Sequence, residues 1–236
     1  MTYNPWPIGK LPEGFARQEI ENLRTLNYEF NDAREVVSIF EEKLAKYAGC
    51  KFAAVVDCAS NGIFLSLKYR SVKGVIKIPQ NTYISVPMQI YHSGCEIALE
   101  NREWSGIYEL GDTGIFDSAA RFTKNMFVGG EKALQVLSFQ IKKRLPIGRG
   151  GAILTNDQNA YEWIKRASYD GRDLSTPYDS ENHIKSIGWH MYMTPEDAAR
   201  GVILMDKLGD QVFPDVANYA SYPNVTPWLR SLGLVK

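Results

Sequence analysis

Short apolar runs alternate with stretches of helical spacing along most of this chain, and that alternation narrows the fold more than any other feature. Phe52 to Val56, Val75 to Ile78, Cys95 to Leu99, Gly114 to Phe116, Leu134 to Phe139 and Gly151 to Thr155 have the length and apolar character of buried strands. Between them lie helical patterns. Val36, Val37, Phe40, Leu44 and Tyr47 fall on one helical face, with Asn31-Asp32 as a possible cap and Gly49 as a stop. Ile63 to Tyr69 and Ile84 to His92 also read as helices, the second with Pro87 in its first turn. Asn156-Asp157 caps a helix through about Ser168, and Thr194-Pro195-Glu196 opens another to about Leu208. The pattern predicts an α/β fold: a mostly parallel central sheet flanked by helices. Residues 1–30 read as an N-terminal arm with a short helix around Phe15 to Leu26, 31–210 as one large domain, and 211–236 as a short irregular tail rich in proline.

A domain of this size can bury a substantial core. Lys+Arg and Asp+Glu balance at 27 each, so no overall field favours nucleic acid or an anionic membrane. Cys50, Cys58 and Cys95 have neither metal-ligand spacing nor a disulfide framework, which points to a reducing cytoplasm. No leader-like segment or membrane-length apolar run stands out. His92, His183 and His190 lack metal-site spacing, and no metal is expected.

In α/β sheets the ligand sits beyond the C-terminal strand ends. Four polar loops fall there: Asp57 to Asn61, Gln80 to Tyr83, the end of the strand at Asp117, and Ser138 to Lys143. A lysine at a strand end can form a Schiff base with an aldehyde cofactor, although Lys142-Lys143-Arg144 also reads as a solvated basic turn. Ala59-Ser60-Asn61 opens a helix directly after a strand, which suits a phosphate cradle or a plain N-cap. Asp117 can pair with a protonated ring nitrogen or cap the next helix. Tyr83 can stack on a planar ring or fill the core. Ser138 can bind phosphate or simply end its strand. Gly148, Gly150 and Gly151 precede a strand rather than open a helix, so they form no dinucleotide fingerprint.

Taken in order, these segments resemble the DegT/StrS-type nucleotide-sugar aminotransferases, which are fold-type I pyridoxal-phosphate enzymes. Phe40 to Gly49 looks like the family's opening helix, FE..fA.y.G. Ala53 to Leu67 and Pro79 to Ser85 resemble its next two segments, Ile115 to Ala119 its viEDaA, and Ser138 to Lys143 with Gly148 to Asp157 its SFh..K…GeGGa..Tnd. Gly188 to Thr194 is similar to its GyN.rMt.

The resemblance implies the large domain of that fold, with the C-terminal small domain largely missing and the segment between Leu99 and Asp117 shortened. It implies pyridoxal 5'-phosphate as cofactor. Lys143 would carry it and move protons, and Asp117 would hold the ring nitrogen. Tyr83 would stack on the ring, and Ala59, Ser60 and Ser138 would bind phosphate. Ala120 would lie on the cofactor's hydroxyl side, where the family has glutamine. His190 would stand where an asparagine reaches a partner subunit's phosphate, implying a homodimer with shared sites. The implied reaction moves an amino group, from glutamate in such families, to a nucleotide-linked keto-sugar. The alternatives are a degenerate, non-catalytic module that binds the cofactor or a partner, and a sugar dehydration on the same scaffold, against which Lys143 argues.

Overall fold

The computed structural model describes residues 17–176, 180–209, 211–215 and 217–235. Its elements run α1 (Gln18–Thr25), α2 (Glu35–Ala48), β1 (Phe52–Val56), α3 (Ala59–Tyr69), β2 (Val75–Pro79), α4 (Ser85–His92), β3 (Glu96–Glu100), β4 (Tyr108–Glu109), β5 (Ile115–Asp117), β6 (Leu134–Ser138), β7 (Gly151–Thr155), α5 (Gln158–Ala167), α6 (Pro195–Leu208) and α7 (Thr226–Ser231). The Phe15 end of the expected first helix lies outside the described residues, and Gln18–Thr25 is helical as the spacing suggests.

Local chemistry explains most boundaries. Gly49 ends α2 in the left-handed region, φ +79, which costs a glycine nothing. At the start of α2 the Asp32 carboxylate accepts the Arg34 amide at 2.8 Å, as the sequence suggests, and the Glu35 carboxylate accepts from the Asn31 and Asp32 amides at 3.3 and 3.2 Å. Asp157 accepts from the Ala160 amide and Thr194 from the Asp197 amide, both at 3.2 Å, so these two caps stand where the sequence puts them.

The strands form a five-stranded sheet ordered β1-β7-β6-β5-β4 and a parallel pair β2-β3. Gly111, in the turn after β4, donates to the Lys77 carbonyl on β2 at 2.8 Å and so joins the two sheets. The larger sheet is more mixed in direction than the β–α alternation predicts. Only β5 and β6 run parallel within it, while β1–β7, β6–β7 and β4–β5 are antiparallel. The cause is the missing crossover: no helix stands between β6 and β7, or between β4 and β5, so each second strand returns beside the first.

Period-two alternation divides the sheet's side chains between two cores. Val55, Leu137, Ala152 and Leu154 face α2 and α6, packing on Phe40, Leu44, Ala198 and Val202. Ala54, Val56, Val136 and Ile153 face α3 and α5, packing on Ile63, Leu65, Ala160 and Ile164. The result is a helix–sheet–helix sandwich. Gly201 lets α6 press on α2, since a Cβ there would fall 2.5 Å from the Phe40 ring.

The tail is the second departure. Residues after Phe213 were expected to be irregular, yet they carry a 3-10 turn, Tyr219–Ser221, and α7, whose Leu229 is fully buried beside Val225. Pro227 at the start of α7 sits where its missing N–H costs nothing. Among the described residues no helix is long and apolar enough to cross a membrane.

Candidate active site

The strand ends and loops enclose one cavity of about 620 Å³, well within the range of small-molecule sites. Lys143, Asp117, Ala59, Ser60, Tyr83, Ala120 and Ser138 all line it. His190 does not. It is exposed, bonds Asp170 at 3.0 Å and meets the Tyr192 ring edge-on, outside the cavity that its own chain forms.

Lys143 is not part of a freely solvated turn. The loop between β6 and β7 is pinned by Phe139, Leu145 and Ile147, all buried in the α2–α6 core. Phe139 and Gly150 bond at 2.9 Å, and the Lys143 amide donates to the Gln140 carbonyl at 2.8 Å. Ile141 and Lys142 are therefore left outside while Lys143 turns inward and is half-buried. That burial pushes its amine below the ordinary lysine range, and the Asp117 carboxylate pulls it back up. Its Nζ lies 3.4 Å from the Tyr222 hydroxyl.

Asp117 ends β5 and is 7% exposed. Its carboxylate accepts the Tyr108 O–H at 2.7 Å and the Ala119 N–H at 2.9 Å. Tyr108 in turn shares a short hydrogen bond with Thr82. Burial raises the Asp117 pKa, and the Ala119 amide, the Tyr108 hydroxyl and Lys143 oppose that rise. Burial and the neighbouring Asp117 hold the Tyr108 phenol well above its usual range, so it remains a donor.

The start of α3 is built by close approach. A Cβ on Gly151 would fall 2.6 Å from the Ala59 amide nitrogen and 2.8 Å from the Leu137 carbonyl, so β7 presses directly against the helix start. Cys58 at the N-cap is extended and gives α3 no side-chain cap. The Ser60 hydroxyl bonds Ser85 at 2.8 Å, tying the first turn of α3 to that of α4. Uncapped amides, Lys142, Lys143 and Arg149 around one cavity suit an anion. Arg149 is also held by Asp57 at 2.8 Å. Tyr83 is 59% exposed, with a ring that lines the cavity rather than the core.

Three residues of the site escape the sequence reading. Tyr108, which stands behind Asp117 rather than in the cavity wall, sits on a two-residue strand inside a segment with no apolar run. Trp104 precedes it, and Tyr222 belongs to the proline-rich tail.

Residues 117–224 match the model of the DegT/DnrJ/EryC1/StrS aminotransferase family, a span that starts at Asp117 and includes Ser138 and Lys143. That stretch, a little under half of the chain, is similar to the family. No curated protein matches it in sequence. Solved structures do match in fold. DesV of S. venezuelae, determined in complex with a ketimine intermediate, is 17% identical with a TM-score of 0.61, over 81% of this chain and 62% of that one. CalS13, a sugar aminotransferase from Micromonospora echinospora, is 11% identical with a TM-score of 0.63, over 81% and 65%. ColD, a GDP-4-keto-6-deoxymannose-3-dehydratase, is 15% identical with a TM-score of 0.60, over 81% and 65%. The chain thus spans about three fifths of the length of the structures it resembles, and shares with them the α/β fold of pyridoxal-phosphate-dependent aminotransferases.

Proposed function

We propose that this protein binds pyridoxal 5'-phosphate at Lys143 and transfers an amino group from glutamate to a nucleotide-linked keto-sugar. The observation that carries the reading is the joint placement of Lys143 and Asp117, an amine and a carboxylate both withdrawn from water, in one cavity with the uncapped start of α3. The residues fit the group: an anion cradle at one side, a buried carboxylate for a ring N–H at another, and an amine between. When bound, pyridoxal phosphate supplies an aldehyde that condenses with primary amines and a ring that withdraws electrons.

Each residue then has a task. The α3 amides at Ala59 and Ser60, with Ser138, hold phosphate. Tyr83 would bound the cofactor ring, and Ala120 would line its hydroxyl side. Asp117 would accept from a ring N–H, oriented by Tyr108 and Ala119. Lys143, its pKa lowered by burial, takes and returns a proton at the substrate carbon. The reading includes a cytoplasmic homodimer in which His190, exposed on its own subunit, serves the partner's phosphate.

The test is an absorbance spectrum with added pyridoxal phosphate, before and after glutamate. A visible band that vanishes in Lys143→Ala and bleaches with glutamate is the expected outcome. No band in either protein overturns the reading. Ala120, which stands at the family's glutamine position, favours a second reading as a cofactor-binding module without turnover; a band that glutamate leaves untouched is its signature.

A further inference from the structure

The C-terminal segment crosses the cavity in a stitched line. Gly106 donates to the Ala217 carbonyl at 3.0 Å, and Tyr219 to the Trp104 carbonyl at 3.0 Å. The Asn81 side chain donates to the Tyr222 carbonyl at 2.9 Å, and Val225 to the Gln80 carbonyl at 2.8 Å. Further along, Val225 and Leu229 are fully buried, so the segment is anchored beyond the cavity by apolar packing. Upstream, Arg121 grips Asp215 through two bonds of 2.8 Å. Between these anchors Tyr222 is carried over the cavity, its ring tilted against Trp104 at 5.4 Å and its hydroxyl 3.4 Å from Lys143 Nζ.

We propose that Tyr222 is a positioning residue for Lys143, its phenol oxygen accepting a hydrogen bond from the ammonium and fixing the amine within the cavity. The inference deepens the reading above and rests on Lys143 being the reacting amine. Two observations support it independently. Trp104, itself held by its indole N–H on the Asn81 carbonyl at 2.9 Å, braces the Tyr222 ring, so the hydroxyl is delivered from a rigid aromatic pair. Burial also raises the Tyr222 pKa, so the phenol stays neutral and its oxygen remains a plain acceptor when the lysine is charged. A lysine has four rotatable bonds, and an unanchored amine would sample positions away from the reacting atoms.

The groups that face the Lys143 amine are Asp117 and Tyr222, with Tyr108 behind Asp117. Removing the acceptor weakens the charged form, so the amine should lose its proton more readily.

The experiment uses the full chain without cofactor. Trinitrobenzenesulfonate reacts with neutral amines, and the labelling rate of the Lys143 peptide, followed by mass spectrometry against pH, gives that amine's ionisation midpoint. Tyr222→Phe keeps the ring on Trp104 and should lower the midpoint, raising the acid dissociation constant by about threefold. Asn81→Ala loosens the segment without touching Lys143 and should shift it the same way by less. An unchanged or raised midpoint in Tyr222→Phe, with the protein folded, overturns the inference. A lowered midpoint in a protein that shows no pyridoxal-phosphate band keeps the tyrosine contact and rejects the cofactor reading. A band with an unmoved midpoint does the reverse.

Discussion

Glu41 and Asp117 are carboxylates buried to a similar depth, 3% and 7% exposed, in two different kinds of surroundings. Glu41 lies where α2 crosses the free edge of β1. It accepts the Val55 amide at 2.9 Å, the Tyr161 hydroxyl at 3.1 Å and the Lys165 amine at 2.7 Å. A cation is in contact, and an edge-strand N–H that would otherwise face outward is paired. The donors to Asp117 are both neutral, a phenol and an amide. Lys143 acts on Asp117 through space, while its own amine is turned to Tyr222. The first carboxylate is compensated within the fold. The second is left with capacity to accept a positive group from a ligand, and the lysine near it is equally unspent. The comparison separates a charge that holds the structure from charges that wait for chemistry.

The strongest way to break the comparison is to remove the compensated carboxylate. Glu41→Ala leaves the Val55 amide and the Lys165 amine without their partner. It should cost about 3 kcal/mol of stability by urea unfolding, since deleting one member of a buried pair strands the other. The pyridoxal-phosphate band should be unaffected below the melting transition. A loss under about 1 kcal/mol would place Glu41 among the weak surface pairs and remove the structural half of the contrast.

Asp117→Asn sharpens it from the other side. Burial holds this carboxyl above its unfolded value, near 3.8. A group with a raised folded pKa contributes stability that is full below the unfolded value and lost as pH rises through the folded one. Asparagine removes that loss. The variant should therefore melt above wild type at neutral pH, and the two should converge below pH 3.8. Its affinity for pyridoxal phosphate should nonetheless fall by about tenfold or more, because a neutral amide replaces a charge-assisted acceptor. A variant that melts lower at every pH would make Asp117 a structural residue like Glu41.

How far the sequence carries this contrast depends on the length of the local signal. β1 is legible because five consecutive apolar residues bounded by turn residues have few other uses, and β7 because an apolar run follows a glycine pair. Asp117 and Lys143 are legible because each falls at or shortly after the end of an apolar run. β4 has only Tyr108 and Glu109, too few for any period to register, yet it delivers the donor that orients Asp117. Tyr222 is separated from Lys143 by 79 residues and sits among prolines that suggest an irregular tail. The burial of Val225 and Leu229 and the bonds from Arg121 and Asn81, all tertiary facts, reveal that the tail is anchored. The sheet directions depart from the expected parallel order for a similar reason. The alternation of strands and helices fixes the class, but direction depends on which connections lack a helix, and the β6–β7 loop is long enough to hide that absence. His190 stands apart from its own chain's cavity: its segment runs past β1, where the Met191 carbonyl accepts the Asp57 amide at 2.9 Å, and the imidazole faces outward to Asp170.

The smallest expected effect concerns the lysine itself. Burial lowers the Lys143 pKa from 10.5, so its ammonium is disfavoured in the folded protein relative to the unfolded chain. A depressed folded pKa means a contribution that is fully recovered above 10.5 and lost as pH falls through the folded value. At neutral pH the cofactor-free protein therefore bears this cost, softened because Lys143 is only half-buried and Asp117 attracts it. Lys143→Met keeps a flexible side chain of similar reach and removes the charge. In thermal melts without cofactor it should be the more stable protein at neutral pH, with a gap that narrows as pH rises and closes near 10.5. A gap that persists unchanged through that pH would trace the gain to packing of the thioether, and Lys143 would then carry no electrostatic cost in the folded protein.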